Sequence, residues 1–151
     1  MATGYGVWAA PPKHAELVAN LTGLTVRSAS WAGVQVGRAS VDVWKGDLTN
    51  SNDGIFAEEG AEVIARGSYF ASNFHSGVFA LTGSDVAGDH NWFEGNLNLG
   101  AGCPGNSVFF PMTFSYWGHP SGPTVSSNEG GEGDRVSESV DYSDFLDVPP
   151  F

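Results

Sequence analysis

The sequence predicts an all-β fold: a right-handed parallel β-helix (solenoid) of about four to five coils with a non-repetitive C-terminal capping tail. Two observations predict this fold. Glycine-led segments recur every 21 to 23 residues, and apolar residues alternate with other residues inside each repeat. A fixed period of this length indicates a repeat architecture in which each unit stacks on its neighbours.

The repeat is visible in four columns of equivalent positions that share one period. The first column contains the glycines that begin three similar segments, Gly33, Gly54 and Gly77. The other columns are Gly37, Gly60 and Gly83; Val41, Val63 and Val86; and Val26, Leu48, Phe70 and Phe93. Because independent columns keep the same spacing, each repeat is predicted to form one coil.

Short alternating segments predict the strands within each coil. Apolar or small residues alternate in the pairs Val34/Val36, Val41/Val43, Gly46/Leu48, Ser68/Phe70 and Val78/Ala80. Glycine, asparagine, aspartate and serine separate these segments, which is typical of short strands joined by tight turns. Three such strands fit a 22–23-residue coil, whose equivalents stack about 4.8 Å apart in a parallel arrangement.

The columns also predict which side chains are buried. Two interior columns are Val7, Val34, Ile55 and Val78, and Ala9, Val36, Ala57 and Ala80. Continuing the register adds Ala101 and Cys103, so Cys103 is predicted to be a small buried residue. Asn50, Asn73 and Asn96 are 23 residues apart and predict a hydrogen-bonded asparagine ladder at one turn.

The first coil departs from the period. The segment Gly6-Val7-Trp8-Ala9 precedes Gly33 by 27 residues, and the extra residues at Pro11-Pro12-Lys13-His14 predict an extended loop. Nothing before Gly6 resembles a cap, and an uncapped solenoid end exposes unpaired strand edges. We therefore expect a piece of a longer protein, or a homo-oligomer that buries this end. A standalone protein that assembles through its open N-terminal coil is an alternative.

The end of the repeat divides the chain into two predicted regions. Residues 1–118 are expected to form the coils, and residues 119–151 an acidic tail rich in glycine, proline and serine that packs on the solenoid. The tail holds seven acidic residues and one basic residue, more than half of the net charge of −11. This excess favours solubility over any particular ligand.

The residues around the start of the tail carry a resemblance. The matching positions are Trp117 to Pro123, Gly133 to Val136, Ser137, Val140-Asp141 and Phe145-Leu146. They resemble the closing segment of right-handed parallel β-helix domains in bacterial and archaeal surface or secreted proteins. Ser115, Tyr116 and Tyr142 depart from that pattern. The resemblance implies the fold, a C-terminal position and an extracellular or cell-surface location, although no signal segment begins this chain.

Composition and motifs exclude several functions. A net charge of −11 argues against nucleic acid as a partner, and no run of 18 apolar residues predicts a membrane span. The single cysteine excludes an internal disulfide, and the four histidines share no metal-ligand spacing. No nucleophile elbow or phosphate loop occurs. We therefore predict no catalytic residue, no metal and no cofactor.

Charged residues on the outer face are the remaining candidates for chemistry. The outward carboxylates are Asp42, Asp47, Asp89 and Glu94, and they do not converge in the predicted coils. Lys45 and Arg66 could stand on adjacent coils, as a lyase would require, but no pair of aspartates accompanies them. His75 aligns with Asp53 one coil earlier, which predicts a turn hydrogen bond rather than catalysis.

Outward aromatic residues are the predicted binding residues. Trp8, Phe56 and Phe79 share one strand face, and Tyr69 and Trp92 share another. The tail, a second copy of the chain or a sugar ring could cover them. The sequence thus predicts a non-catalytic module of a surface or secreted protein with a structural, adhesive or glycan-binding role. The alternative is a small or truncated carbohydrate-active enzyme, lyase-like or hydrolase-like, with an outer-face groove.

Overall fold

The computed structural model describes residues 6–10 and 17–151, and its regular secondary structure consists almost entirely of short strands. In chain order these are β1 (Val7–Ala9), β2 (Val18–Thr22), β3 (Thr25–Arg27), β4 (Ala32–Gly37), β5 (Ser40–Trp44), β6 (Asp47–Thr49), β7 (Asp53–Glu58), β8 (Glu62–Arg66), β9 (Tyr69–Ala71), β10 (Ser76–Ala80), β11 (Asp85–Asp89), β12 (Trp92–Glu94), β13 (Leu99–Gly102), β14 (Phe110–Thr113), β15 (Pro123–Thr124), β16 (Gly133–Arg135) and β17 (Val140–Asp141). A 3-10 helix, Pro104–Asn106, lies between β13 and β14. The predicted loop at Pro11–His14 lies outside the described residues.

Three parallel sheets form the walls of a solenoid of about four turns. The first sheet has the order β1-β4-β7-β10-β13, the second β17-β14-β11-β8-β5-β2, and the third β12-β9-β6-β3. Each turn of the chain therefore adds one strand to each sheet, which confirms the predicted parallel β-solenoid. Among the described residues, no helix is long and apolar enough to cross a membrane.

The registers confirm the predicted interior columns. In the first sheet Val7 pairs with Val34, Val34 with Ile55, Ile55 with Val78, and Val78 with Ala101. The neighbouring column runs from Ala9 through Val36 and Ala57 to Ala80. Cys103 is a buried free thiol, as predicted. The core therefore follows directly from the period of the sequence.

Stacked aromatic rings continue the core into the C-terminal end of the solenoid. The Phe70 and Phe93 rings lie 5.1 Å apart and are nearly parallel. The indole of Trp117 stacks on Phe93 with a centroid distance of 4.5 Å, and Trp117 is completely buried. Trp117 thus occupies the next position of the aromatic column, just before the tail begins.

The asparagine ladder forms, but the prediction for Asn50 is wrong. Asn73 and Asn96 are buried, and Asn73 Nδ2 donates to Asn96 Oδ1 at 2.8 Å. The coil that ends at Asn73 has 22 residues, so Ser51 lies next to Asn73 and donates its N–H to Asn73 Oδ1. Asn50 is exposed at a corner, where its φ is 54°.

A second polar column, which the sequence did not suggest, lies at another corner. The N–H of Ser68 donates to Asn91 Oδ1 at 3.0 Å, and the N–H of Asn91 donates to the hydroxyl of Ser115 at 3.2 Å. Gly46 donates to the hydroxyl of Ser68 in the same way. Short polar side chains therefore satisfy buried backbone groups between coils, as burial requires.

The tail closes the C-terminal end of the solenoid. The Asp134 carboxylate accepts hydrogen bonds from the N–H of Gly95, the N–H of Asn96 and Asn96 Nδ2. Burial raises the pKa of Asp134, and these hydrogen bonds act against that rise. Val136 forms a bridge to Ala101, and β17 pairs with β14. The tail therefore continues both the ladder and the sheets.

Replacing Asn73 tests the ladder. Asn73→Ala removes the acceptor for Ser51 N–H and the donor to Leu48 C=O, and so leaves buried groups unpaired. We expect the free energy of unfolding, measured by urea denaturation, to fall by about 2–4 kcal/mol. Asn50→Gly is the matched control, because glycine adopts a positive φ without strain. Equal losses for the two variants would contradict the ladder.

Candidate functional site

The five predicted binding residues lie on two separate faces of the solenoid. Trp8 and Phe56 are each in register with Gln35 in the first sheet, and Phe56 pairs with Phe79. Tyr69 and Trp92 pair in the third sheet. The structure therefore divides the predicted set into two aromatic groups that belong to different surfaces.

The aromatic group on the first sheet is packed against itself. Phe56 and Phe79 stack with a centroid distance of 6.1 Å, and Trp31 contacts Phe56 edge-on. His75 contacts Phe79 edge-on at 4.7 Å. The ring faces of Phe56 and Phe79 are thus turned towards each other, whereas a sugar ring requires a free aromatic face for stacking.

The aromatic group on the third sheet borders an open depression. The rings of Tyr69 and Trp92 lie 4.7 Å apart with an interplanar angle of 56°. The ring of Phe151 contacts Trp92 edge-on at 6.0 Å. The depression has a volume of about 550 Å³, and we call it the Tyr69 groove; it is lined by Lys45, Gly46, Asp47, Gly67, Tyr69, Trp92 and Phe151.

Local sequence explains why the groove is open. Asp47, Tyr69 and Trp92 occupy equivalent positions of β6, β9 and β12, so their side chains form one outward row. Two glycines, Gly46 and Gly67, lie beside this row, where they present no side chain. Large rings next to bare backbone leave a recess, which is the usual shape of a small-ligand site.

Polar groups flank the aromatic row. The Tyr69 hydroxyl donates a hydrogen bond of 3.0 Å to Glu94 Oε2, and Asp47 forms an ion pair with Arg27. A shallower depression of about 240 Å³ continues from Asp47 and Tyr69 past Asn50 and Ser72. The third sheet therefore offers an aromatic surface with carboxylates at its sides.

A group formed by one histidine, one aspartate and one serine lies away from this groove. His75 Nδ1 lies 2.8 Å from Asp53 Oδ1, so the hydrogen bond predicted from their alignment is present. The hydroxyl of Ser76 contacts the same nitrogen, and Ser76 is completely buried. Burial raises the pKa of Asp53, and its hydrogen bond to His75 acts against that rise. A nucleophile would need access to substrate, so this trio holds a turn together.

The outward carboxylates are divided between two sheets. Asp42 and Asp89 belong to the second sheet, where Arg66 and His90 both contact Asp89. Asp47 and Glu94 belong to the third sheet. Over residues 6–10 and 17–151, no cluster of three or more His, Cys, Asp or Glu side chains could hold a metal ion. His14 lies outside these residues.

Sequence reasoning missed Trp44, whose side chain is 56% exposed on the second sheet. Its Cα partners are Thr22 and Arg66, so it shares a column with no other aromatic residue. The alternation of Val41 and Val43 inward was the signal that could have placed Trp44 on the outside.

The environment of Tyr69 gives a measurable signature. Burial, together with the hydrogen bond to Glu94 and its charge, raises the pKa of Tyr69 from 10.0 to about 12. Since the folded-state pKa is the higher one, the stabilisation from this group is complete below pH 10.0 and is lost as the pH rises through about 12.

Ultraviolet titration of tyrosinate checks this signature, with Tyr69→Phe identifying the signal of Tyr69. In Glu94→Gln we expect the pKa of Tyr69 to fall but to stay above 10.0, because burial, the largest cause, remains. A midpoint of 10.0 for Tyr69 in the unaltered chain would contradict the partial burial of the ring and its hydrogen bond to Glu94.

Comparison with protein-family models, with curated proteins and with solved structures finds no match for this chain. The parallel β-solenoid is shown by its strand pairing, and membership of a surface-protein family remains a prediction from the motif residues.

Proposed function

We propose that this chain is a non-catalytic module of a surface or secreted protein and that it binds carbohydrate in the Tyr69 groove. The observation that carries the proposal is the pair formed by Tyr69 and Trp92, whose rings are tilted by 56° beside a recess of about 550 Å³. Sugars have apolar C–H faces that pack on aromatic rings, and hydroxyl groups that need hydrogen-bond acceptors and donors. The groove supplies both kinds of surface.

The acceptors lie where sugar hydroxyls would need them. Asp47 borders the groove directly, and Glu94 is held beside the ring pair by the Tyr69 hydroxyl. Lys45 also lines the recess and supplies a donor. A volume of about 550 Å³ is within the range of small-ligand sites, which are mostly apolar and contain a few fixed polar groups.

The same carboxylates support binding rather than hydrolysis. A glycosidase needs one carboxyl group that is kept protonated and a second that is ionised, across the scissile bond. Asp47 is engaged in an ion pair with Arg27. Glu94 is occupied by the Tyr69 hydroxyl. Neither side chain is arranged as a general acid.

A glycan array probed with the chain tests the proposal. We expect retention on at least one glycan, and Trp92→Ala should weaken binding to that glycan about tenfold or more, which corresponds to about 1.4 kcal/mol. Trp31→Ala is the matched control, because it removes an exposed tryptophan that lies just before β4 and contacts Phe56, away from the Tyr69 groove. Circular dichroism of each variant establishes that the solenoid is intact.

Three results would overturn the proposal. Equal loss of glycan binding in Trp31→Ala and Trp92→Ala would remove the groove from the interaction, as would absence of binding to every glycan on the array. Release of new reducing ends from a bound glycan, abolished by Asp47→Asn, would show that the groove is catalytic.

A further inference from the structure

A second recess lies on the outer face of the second sheet. It has a volume of about 430 Å³, and we call it the Trp44 face; it is lined by Asn20, Thr22, Asp42, Val43, Trp44, Ile64 and Arg66. The corner formed by Trp44 and Lys45 separates it from the Tyr69 groove. Neither the predicted binding residues nor the proposed function uses this face.

The indole of Trp44 is exposed on one side and packs against the backbone of Gly67 on the other. A Cβ on Gly67 would lie only 3.7 Å from Trp44 Nε1, so the indole lies against the glycine backbone. Lys45 Nζ lies 5.6 Å from the centre of the Trp44 ring. A ring that is already positioned loses little conformational freedom when a ligand binds. Core packing does not account for this tryptophan, because 56% of it is exposed.

The polar side chains beside Trp44 have no partners in the described part of the chain. Asn20, Thr22 and Asp42 form no side-chain hydrogen bond or ion pair with any described residue, although Asp42 is half-buried. Other carboxylates of the same sheet are engaged: Glu62 accepts from Ser40, and Asp89 pairs with Arg66. Asn20 and Thr22 are exposed and Asp42 is half-buried, so these groups are open to solvent, and a ligand can bind them without breaking a hydrogen bond within the protein.

Strand register brings these groups together. Asn20 pairs with Asp42, and Thr22 pairs with Trp44, on β2 and β5. Trp44 in turn pairs with Arg66 on β8. An amide, a carboxylate, a hydroxyl and a guanidinium therefore surround one exposed aromatic ring on three adjacent strands.

The charges of this face select a neutral ligand. Asp42 lines it, and Glu62 and Asp89 lie beside it on the second sheet, whereas Arg66, paired with Asp89 through Nε, and Lys45, next to the Trp44 ring, supply the positive charges. Because charges of both signs are present, the face offers no excess positive charge to an anionic ligand, and a ligand rich in hydroxyl groups would donate to Asp42 and accept from Asn20. A ring that carries such hydroxyls and also an apolar face for the indole is a neutral saccharide.

We propose that the Trp44 face is a second carbohydrate-binding site, specific for a neutral saccharide and separate from the Tyr69 groove. Its polar contacts come from Asn20 and Asp42, and its stacking surface is Trp44. This site stands on residues of the second sheet alone, so it does not depend on the proposal for the third sheet.

Nuclear magnetic resonance tests the proposal with defined probes. The probes are hexasaccharides of β-1,4-linked glucose, mannose, xylose and galactose, with hexagalacturonate as the acidic comparison. We expect at least one neutral hexasaccharide to shift the Trp44 indole N–H signal, assigned with Trp44→Phe, together with the side-chain amide signals of Asn20. Hexagalacturonate should shift neither signal.

Variants then separate this site from the Tyr69 groove. We expect Trp44→Ala to abolish the shifts at Asn20, and Asp42→Asn, which keeps the shape of the side chain, to weaken the affinity about tenfold. Trp92→Ala and Trp31→Ala should leave the shifts at Trp44 unchanged.

The proposal is overturned if no neutral hexasaccharide shifts the Trp44 signal or if hexagalacturonate alone shifts it. It is also overturned if the ligand still shifts the Asn20 signals in Trp44→Ala with unchanged affinity. If Trp92→Ala loses binding on the glycan array but leaves the ligand-induced shifts at Trp44 unchanged, both sites are supported. Absence of any effect of Trp92→Ala, with the Trp44 shifts present, would remove only the Tyr69 groove.

Discussion

Parallel, in-register stacking of the coils is the constraint on which the structure depends. Each strand hydrogen-bonds to its equivalent in the next coil, so equivalent side chains are held about 4.8 Å apart. A residue at an interior position must therefore pack against its own equivalents as well as against the opposite wall. Glycine at the start of the first-sheet strands shows how strict this is, because a Cβ on Gly54 would lie 2.5 Å from the carbonyl oxygen of Gly77. Tight approach between coils thus accounts for part of the high glycine content.

The same constraint explains why the core could be read from the sequence. Val34, Ile55 and Val78 must all be apolar and of similar size, so the column keeps a recognisable identity. The polar corner columns need only a short side chain that reaches a backbone group. Ser68 and Asn91 both do so with different chemistry, and that column therefore has no single residue type to follow.

The wrong assignment of Asn50 has a related cause. The coils differ in length: the step in the third sheet is 22 residues from Asp47 to Tyr69 and 23 residues from Tyr69 to Trp92. Counting 23 residues back from Asn73 therefore reaches the exposed corner residue Asn50, whereas the backbone places Ser51 at that level. Interior columns tolerate this ambiguity because alternation fixes which side chains point inward, but a corner has no alternation to correct the count.

Outer-face sites are harder to predict, because stacking decides only which side chains are adjacent and leaves their types open. Tyr69 and Trp92 were found because they share a column, while Trp44 was missed because its neighbours are Thr22 and Arg66. A binding site needs aromatic and polar side chains next to each other. A search for columns of one residue type therefore overlooks such a site. In a chain with only 15% charged residues, most carboxylates on the sheets are engaged by another side chain. Unpartnered polar groups beside an ordered, exposed ring are therefore the more informative signal on a solenoid surface, and that signal requires the register as well as the sequence.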